Sequence, residues 1–185
     1  MLRRPPKPKR RTTLDLVRVF RSPLDRRRGR IVAGALAMPC ALGRSGTVRD
    51  KREGDGATPL GRFAALQAFY RADRLARPRT LLPLAATAPR DGWCDDPRDR
   101  NYNRPVRLPY PARHERMQRD DVLYDVVIDL AYNRGPIRKG RGSAIFLHCA
   151  NPGLTPTEGC VAVDPRLVAR LLALIGPRTR IEVVG

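Results

Sequence analysis

Only one stretch of this 185-residue chain is written as a helix, so the rest must satisfy its backbone in another way. Asp164 suits a helix N-cap, Pro165 suits the first helical position, and Gly176-Pro177 makes a stop. Between them Leu167, Val168, Leu171, Leu172, Leu174 and Ile175 recur at helical spacing. Elsewhere apolar residues come in short, β-tolerant runs divided by Gly, Pro, Asp and Asn. Residues 13–20 (TLDLVRVF) allow one short strand, and residues 30–42 a buried strand pair. Residues 122–130 (VLYDVVIDL) and 143–148 (SAIFLH) read as strands, the second running into the turn Asn151-Pro152-Gly153. Residues 180–184 (RIEVV) form a terminal strand. Several strands with one firm helix predict a mainly β domain, and no internal repeat divides it.

Charge sets a second constraint. Lys and Arg number 37 against 18 Asp and Glu, a net of +19, and 33 of the basic residues are arginine. Residues 1–30 hold +10 of that excess. Residues 1–28 are therefore read as a basic, Arg- and Pro-rich leader, and residues 29–185 as the globular domain. Such a leader suits contact with nucleic acid or an anionic surface, or is a solvated tail. An apolar fraction of 42% excludes a disordered polycation, which lacks the apolar surface to offset ordering entropy.

The four cysteines, at 40, 94, 149 and 160, contain no CxxC pair, which argues against a zinc ribbon or thioredoxin-type site. Residues 31–43 (IVAGALAMPCALG) imitate the apolar core of a signal peptide, but they begin deep in the chain and include Pro39. A buried strand pair is the favoured reading. No run reaches the ~18 apolar residues that a transmembrane helix needs.

Chemistry concentrates in residues 148–163 (HCANPGLTPTEGCVAV). A strand delivers His148, and a Pro- and Gly-containing loop returns Cys160 twelve residues later. A cysteine nucleophile needs a base within reach and donors for the developing oxyanion. Gly159 lets successive backbone N–H groups converge. Cys149 directly follows His148, so on a strand it faces the other way. Cys40 and Cys94 have no histidine nearby in sequence.

This segment resembles the YkuD-type L,D-transpeptidases, in which a strand-end histidine and a loop precede Ser/Thr-x-Gly-Cys and an aliphatic residue. Here those positions are His148, Thr157, Glu158, Gly159, Cys160 and Val161. A family Thr-Pro-x-Gly-x-Phe segment appears as Thr58-Pro59-Leu60-Gly61-Arg62-Phe63. The resemblance covers roughly residues 29–185. It implies a β-sandwich-like catalytic domain with one or two helices, and cysteine acyl transfer on peptidoglycan stem peptides without metal or cofactor. Cys160 would be the nucleophile, His148 the base, and the N–H groups of Glu158, Gly159 and Cys160 the oxyanion donors. It also implies acylation by carbapenem-type β-lactams, a role in cell-wall biogenesis and cell shape, and work in the periplasm or cell envelope. Cys149, Glu158 and Ala162 depart from the residues usual at their positions.

Residues 73–120 are rich in Arg, Pro, Asp and Asn, an irregular insertion. Thr157, Trp93, Tyr102, Asn103 and Arg104 are expected at the substrate, where guanidinium suits stem-peptide carboxylates. The other reading is a loop pinned by its aromatics. His114 reads as an exposed loop residue. Two functional alternatives stay open: a carboxypeptidase or other hydrolase at the same thiol, and a polyanion-binding protein. The latter has no zinc finger, RNP-type strand or helix-turn-helix to support specific nucleic-acid binding.

Overall fold

Alternation along the strands fixes which side of the sheet becomes core. The computed structural model describes residues 13–185, so residues 1–12 of the expected leader lie outside it. In β1 (Leu16–Arg21) Val17 and Val19 are fully buried, while Arg18 and Phe20 face outward. β1 pairs antiparallel with β2 (Arg28–Ala33) and parallel with the last strand, β14 (Arg180–Val184). Part of the expected leader, residues 16–21, thus joins the sheet. Residues 16–21 are a central strand, because burying two valines and two ladders of hydrogen bonds outweighs the charge around them.

The sheet continues from β2 to β3 (Leu36–Ala41), β13 (Val161–Val163), β12 (Phe146–Cys149) and β11 (Val126–Leu130). On the other side β14 pairs with β6 (Gly61–Tyr70), and β6 pairs with β11. The eight strands thus close on themselves, with β7 (Leu84–Ala86) added alongside β6. The expected strand pair at 30–42 is present as β2 and β3. α1 (Pro165–Leu174) packs Val168, Leu171 and Leu172 onto the enclosed core with Leu147, Cys149 and Ile181. Asp164 caps it by accepting the Arg166 N–H at 2.8 Å. Among the described residues no helix is long and apolar enough to cross a membrane.

The insertion at 73–120 is not wholly irregular. β8 (Asp91–Cys94), β9 (Arg104–Arg107) and β10 (His114–Arg116) form a separate three-stranded sheet. It covers the outer face of β11 and β12, where Trp93 and Met117 join Tyr124, Val127, Phe146 and Cys160 in a second apolar cluster. His114 lies on β10, half-buried, with Nδ1 at 2.8 Å from the Ala112 carbonyl, rather than on an exposed loop. A final pair, β4 (Thr47–Val48) and β5 (Thr58–Pro59), braces the loop that carries Cys160.

Candidate active site

β12 sorts its side chains by alternation. Leu147 and Cys149 enter the enclosed core, while Phe146 and His148 face the insertion. β13 runs parallel beside it, with Leu147 opposite Val161 and His148 opposite Ala162. Cys160 immediately precedes β13 and falls on the Phe146 side: the Phe146 N–H donates to its Sγ at 3.4 Å. His148 and Cys160 therefore share one face, and Cys149 does not. Cys160 is the least buried of the four cysteines, at 8% exposed against 0–1% for the other three.

The turn that presents Cys160 requires glycine. Gly159 has φ 138°, and a Cβ there would stand 2.8 Å from the Ala57 carbonyl oxygen. Thr157 holds the turn from within, accepting the Gly159 N–H at 3.2 Å and donating to the Cys160 carbonyl at 2.6 Å. Thr58, from the Thr-Pro segment, donates to the same carbonyl at 3.3 Å and accepts the Gly43 N–H at 2.8 Å. Two sequence expectations change here. The Gly159 N–H is engaged by Thr157 instead of pointing at an oxyanion, and Thr157 is committed to the loop instead of to substrate. The Glu158 carboxylate turns away to Arg44 Nε at 2.9 Å.

His148 is oriented by its neighbour. Its Nδ1–H donates to the Cys149 carbonyl at 2.7 Å, which leaves Nε2 as the basic nitrogen. Burial lowers its pKa to about 4, against the opposing pull of that carbonyl. Burial, followed by the Glu115 charge, pushes the Cys160 thiol up to about 12. At neutral pH the pair is thus an uncharged thiol and a neutral imidazole. The thiol donates to the Ala144 carbonyl at 3.1 Å, on the side of Phe146 away from His148. Ala144 itself has φ 51°, a conformation that favours glycine, and its N–H donates to Asn103 Oδ1 at 3.1 Å.

Three residues with no sequence signal complete the surroundings. The Tyr124 ring stands 5.3 Å from the imidazole, edge on, and its hydroxyl donates to the Glu115 carboxylate. Burial raises the pKa of both Tyr124 and Glu115. Lys51 is 3% exposed and bound to Asp55 at 2.5 Å. Its Nζ lies 3.3 Å from where a Gly159 Cβ would be, behind the cysteine turn. These residues come from segments far from 148–160, so only the fold assembles them.

The insertion residues divide. Trp93, Tyr102 and Asn103, expected at the substrate, are almost fully buried and tie the insertion down. Trp93 Nε1 donates to Asn103 Oδ1 at 3.1 Å, and its ring meets Phe146 edge on at 5.0 Å. Tyr102 donates to Glu53 at 2.5 Å, and Asn103 Nδ2 donates to the Tyr132 and Asn133 carbonyls. Arg104 alone stays exposed, lining a groove of about 800 Å³ with Arg107 and Tyr110. Among the described residues no group of His, Cys, Asp and Glu converges as a metal site would.

The profile of the YkuD family, the L,D-transpeptidase catalytic domain, matches residues 25–183. No curated protein matches the chain. Among solved structures, L,D-transpeptidase 1 of Mycobacterium tuberculosis is similar at 14% identity and a TM-score of 0.41. The alignment covers 92% of this chain and 62% of that one.

Proposed function

The chain belongs to the YkuD family of L,D-transpeptidase catalytic domains, and from that premise we propose that it is a cysteine acyltransferase forming L,D-crosslinks between peptidoglycan stem peptides. The observation that carries this reading is the placement of Cys160 and His148 on one face, with Nδ1 tied to the Cys149 carbonyl. In this mechanism the thiol leaves the Ala144 carbonyl, turns towards the imidazole, and gives its proton to Nε2. Sγ then attacks the amide carbonyl that joins the L-centre of diaminopimelate to the terminal D-alanine. The N–H groups of Glu158 and Cys160 are the donors for the oxyanion, since that of Gly159 is held by Thr157. The C–N bond breaks, the imidazolium returns the proton to the departing amine, and a thioester on Cys160 remains. An amine of a neighbouring stem resolves it by transfer, whereas water would release a tripeptide. This chemistry places the work in the cell envelope, and in the periplasm where there is one.

Incubation with tetrapeptide-bearing muropeptides, read by mass spectrometry, tests the reading. Crosslinked dimers are expected, and Cys160→Ala abolishes them while the protein stays folded. Tripeptides without dimers would make the protein a carboxypeptidase. Turnover by Cys160→Ala would sink the cysteine mechanism. A carbapenem is expected to add one adduct, at Cys160.

A further inference from the structure

The turn between β1 and β2, residues 22–27, carries a leucine that nothing among the described residues covers. Leu24 is 96% exposed, more than any other large apolar side chain among the described residues, and exposed Pro23 stands beside it. The turn is firmly braced. The Ser22 N–H donates to the Arg28 carbonyl at 2.8 Å, the Arg28 N–H to the Asp25 carbonyl at 3.0 Å, and the Leu24 N–H to Ser22 Oγ at 3.2 Å. Leu24 is thus held out into solvent by a fixed hairpin.

Cations surround it. Arg21, Arg26 and Arg30 are exposed on the hairpin, and Arg49 faces Arg21 and Arg26 across a groove of about 820 Å³. The nearby acids are already committed: Asp25 to Arg27 and Arg28, Glu158 to Arg44, and Glu182 to Arg18 and Arg62. Among the described residues none of Arg21, Arg26, Arg30 and Arg49 forms a salt bridge. Residues 1–12 add six basic residues and no acid, so they cannot neutralise this face.

We propose that this hairpin docks the protein on an anionic lipid bilayer, with Leu24 and Pro23 entering the interface and Arg21, Arg26, Arg30 and Arg49 meeting headgroup phosphates. A soluble polyanion would engage the arginines and leave Leu24 in water. A bilayer surface satisfies both kinds of group at once. The hairpin also touches the loop between His148 and Cys160, because Arg28 donates to the Gly153 carbonyl at 3.0 Å. Docking would therefore hold that loop beside the membrane. The proposal rests on this basic face with its exposed leucine and stands or falls independently of the chemistry at Cys160.

Co-sedimentation of the full chain with vesicles tests it, using phosphatidylcholine alone and phosphatidylcholine with a third phosphatidylglycerol. Binding is expected to the anionic vesicles only. Leu24→Ser is expected to weaken it about tenfold, the scale of losing one interfacial aliphatic side chain. Arg26→Glu is expected to weaken it by at least about fivefold, the contribution of one cation near an anionic leaflet. Both positions are exposed, so circular dichroism should be unchanged. Failure to bind the anionic vesicles, or equal binding by wild type and both variants, would overturn the proposal. So would binding that depends on Arg26 and ignores Leu24, with a double-stranded oligonucleotide competing; that outcome would identify a polyanion site.

Discussion

Burial makes both members of the Cys160–His148 pair resist ionisation, and this decides how the pair titrates. His148 is a base only when unprotonated, that is, above a pKa of about 4. Lowering the pH from 7 to 5 should therefore leave its basic form intact, and the acid limb of kcat/KM should fall well below the ordinary imidazole value. The Cys160 thiol, at about 12, is almost wholly protonated at pH 7. Iodoacetamide labelling of the folded protein should be slow there and rise about tenfold per pH unit towards pH 10. Fast, pH-independent labelling at pH 7 would reveal a standing thiolate–imidazolium pair instead. Lys51 stands behind the cysteine turn and lowers the thiol's pKa against the effect of burial. Lys51→Met alone strands Asp55, so the informative variant is Lys51→Met with Asp55→Asn. That pair should keep the thermal midpoint of Lys51→Met or better it, while kcat stays about tenfold or more below wild type. Recovery of kcat in the double variant would confine Lys51 to a structural role.

At the scale of elements, one arginine joins the insertion over the site to the buried end of β11. The Arg134 guanidinium donates to the Asn103 carbonyl at 3.0 Å, stands 4.7 Å over the Trp93 ring and pairs with Asp129 at 3.2 Å. Asp129 is buried on β11, and burial raises its pKa to about 6 even with Arg134 opposing. Arg134→Ala leaves that carboxylate without a counterion and should cost about 2 kcal/mol at pH 7.5, the most that a carboxyl with a pKa of about 6 loses when it stays protonated there. Below pH 6 Asp129 takes up a proton and the penalty shrinks, so urea midpoints of variant and wild type should converge at pH 5. An equal loss at both pH values would place the arginine's role at Trp93 and Asn103. None of this was legible in the sequence, where Trp93 and Asn103 looked available for substrate. The elements that were legible have local causes. Asp164, Pro165 and Gly176 delimit α1 within its own sequence, and the alternation of residues 180–184 suffices for β14. β11 begins only at Val126, because Asp121 accepts the Leu123 N–H and a turn occupies 122–125. His148 and Cys160 were readable because strand, loop and glycine lie within one short segment. Tyr124, Glu115 and Lys51 reach the site from three separate segments, and no local pattern announces such a meeting.

At the scale of the whole molecule, the closed sheet ties the two ends of the described chain together. β1 and β14 are parallel neighbours with Val19 opposite Val183, and β14 passes the ladder on to β6. The basic composition of residues 1–28 conceals this, because the arginines of β1 lie outside and only its valines mark the core. Charge counted along the chain suggested a leader; alternation within it marks a strand. The two readings differ in what a truncation does. A chain beginning at Thr13 should fold with a thermal midpoint close to that of the full protein. A chain beginning at Gly29 loses Val17 and Val19, each contributing about 1.5–3 kcal/mol by burial, and exposes the edges of β2 and β14. That loss approaches the whole stability of a domain of this size, so the shorter chain should be unfolded or aggregated by circular dichroism and size-exclusion chromatography. A folded, monomeric chain beginning at Gly29 would show that the ring can close without β1 and would restore the boundary at residue 28.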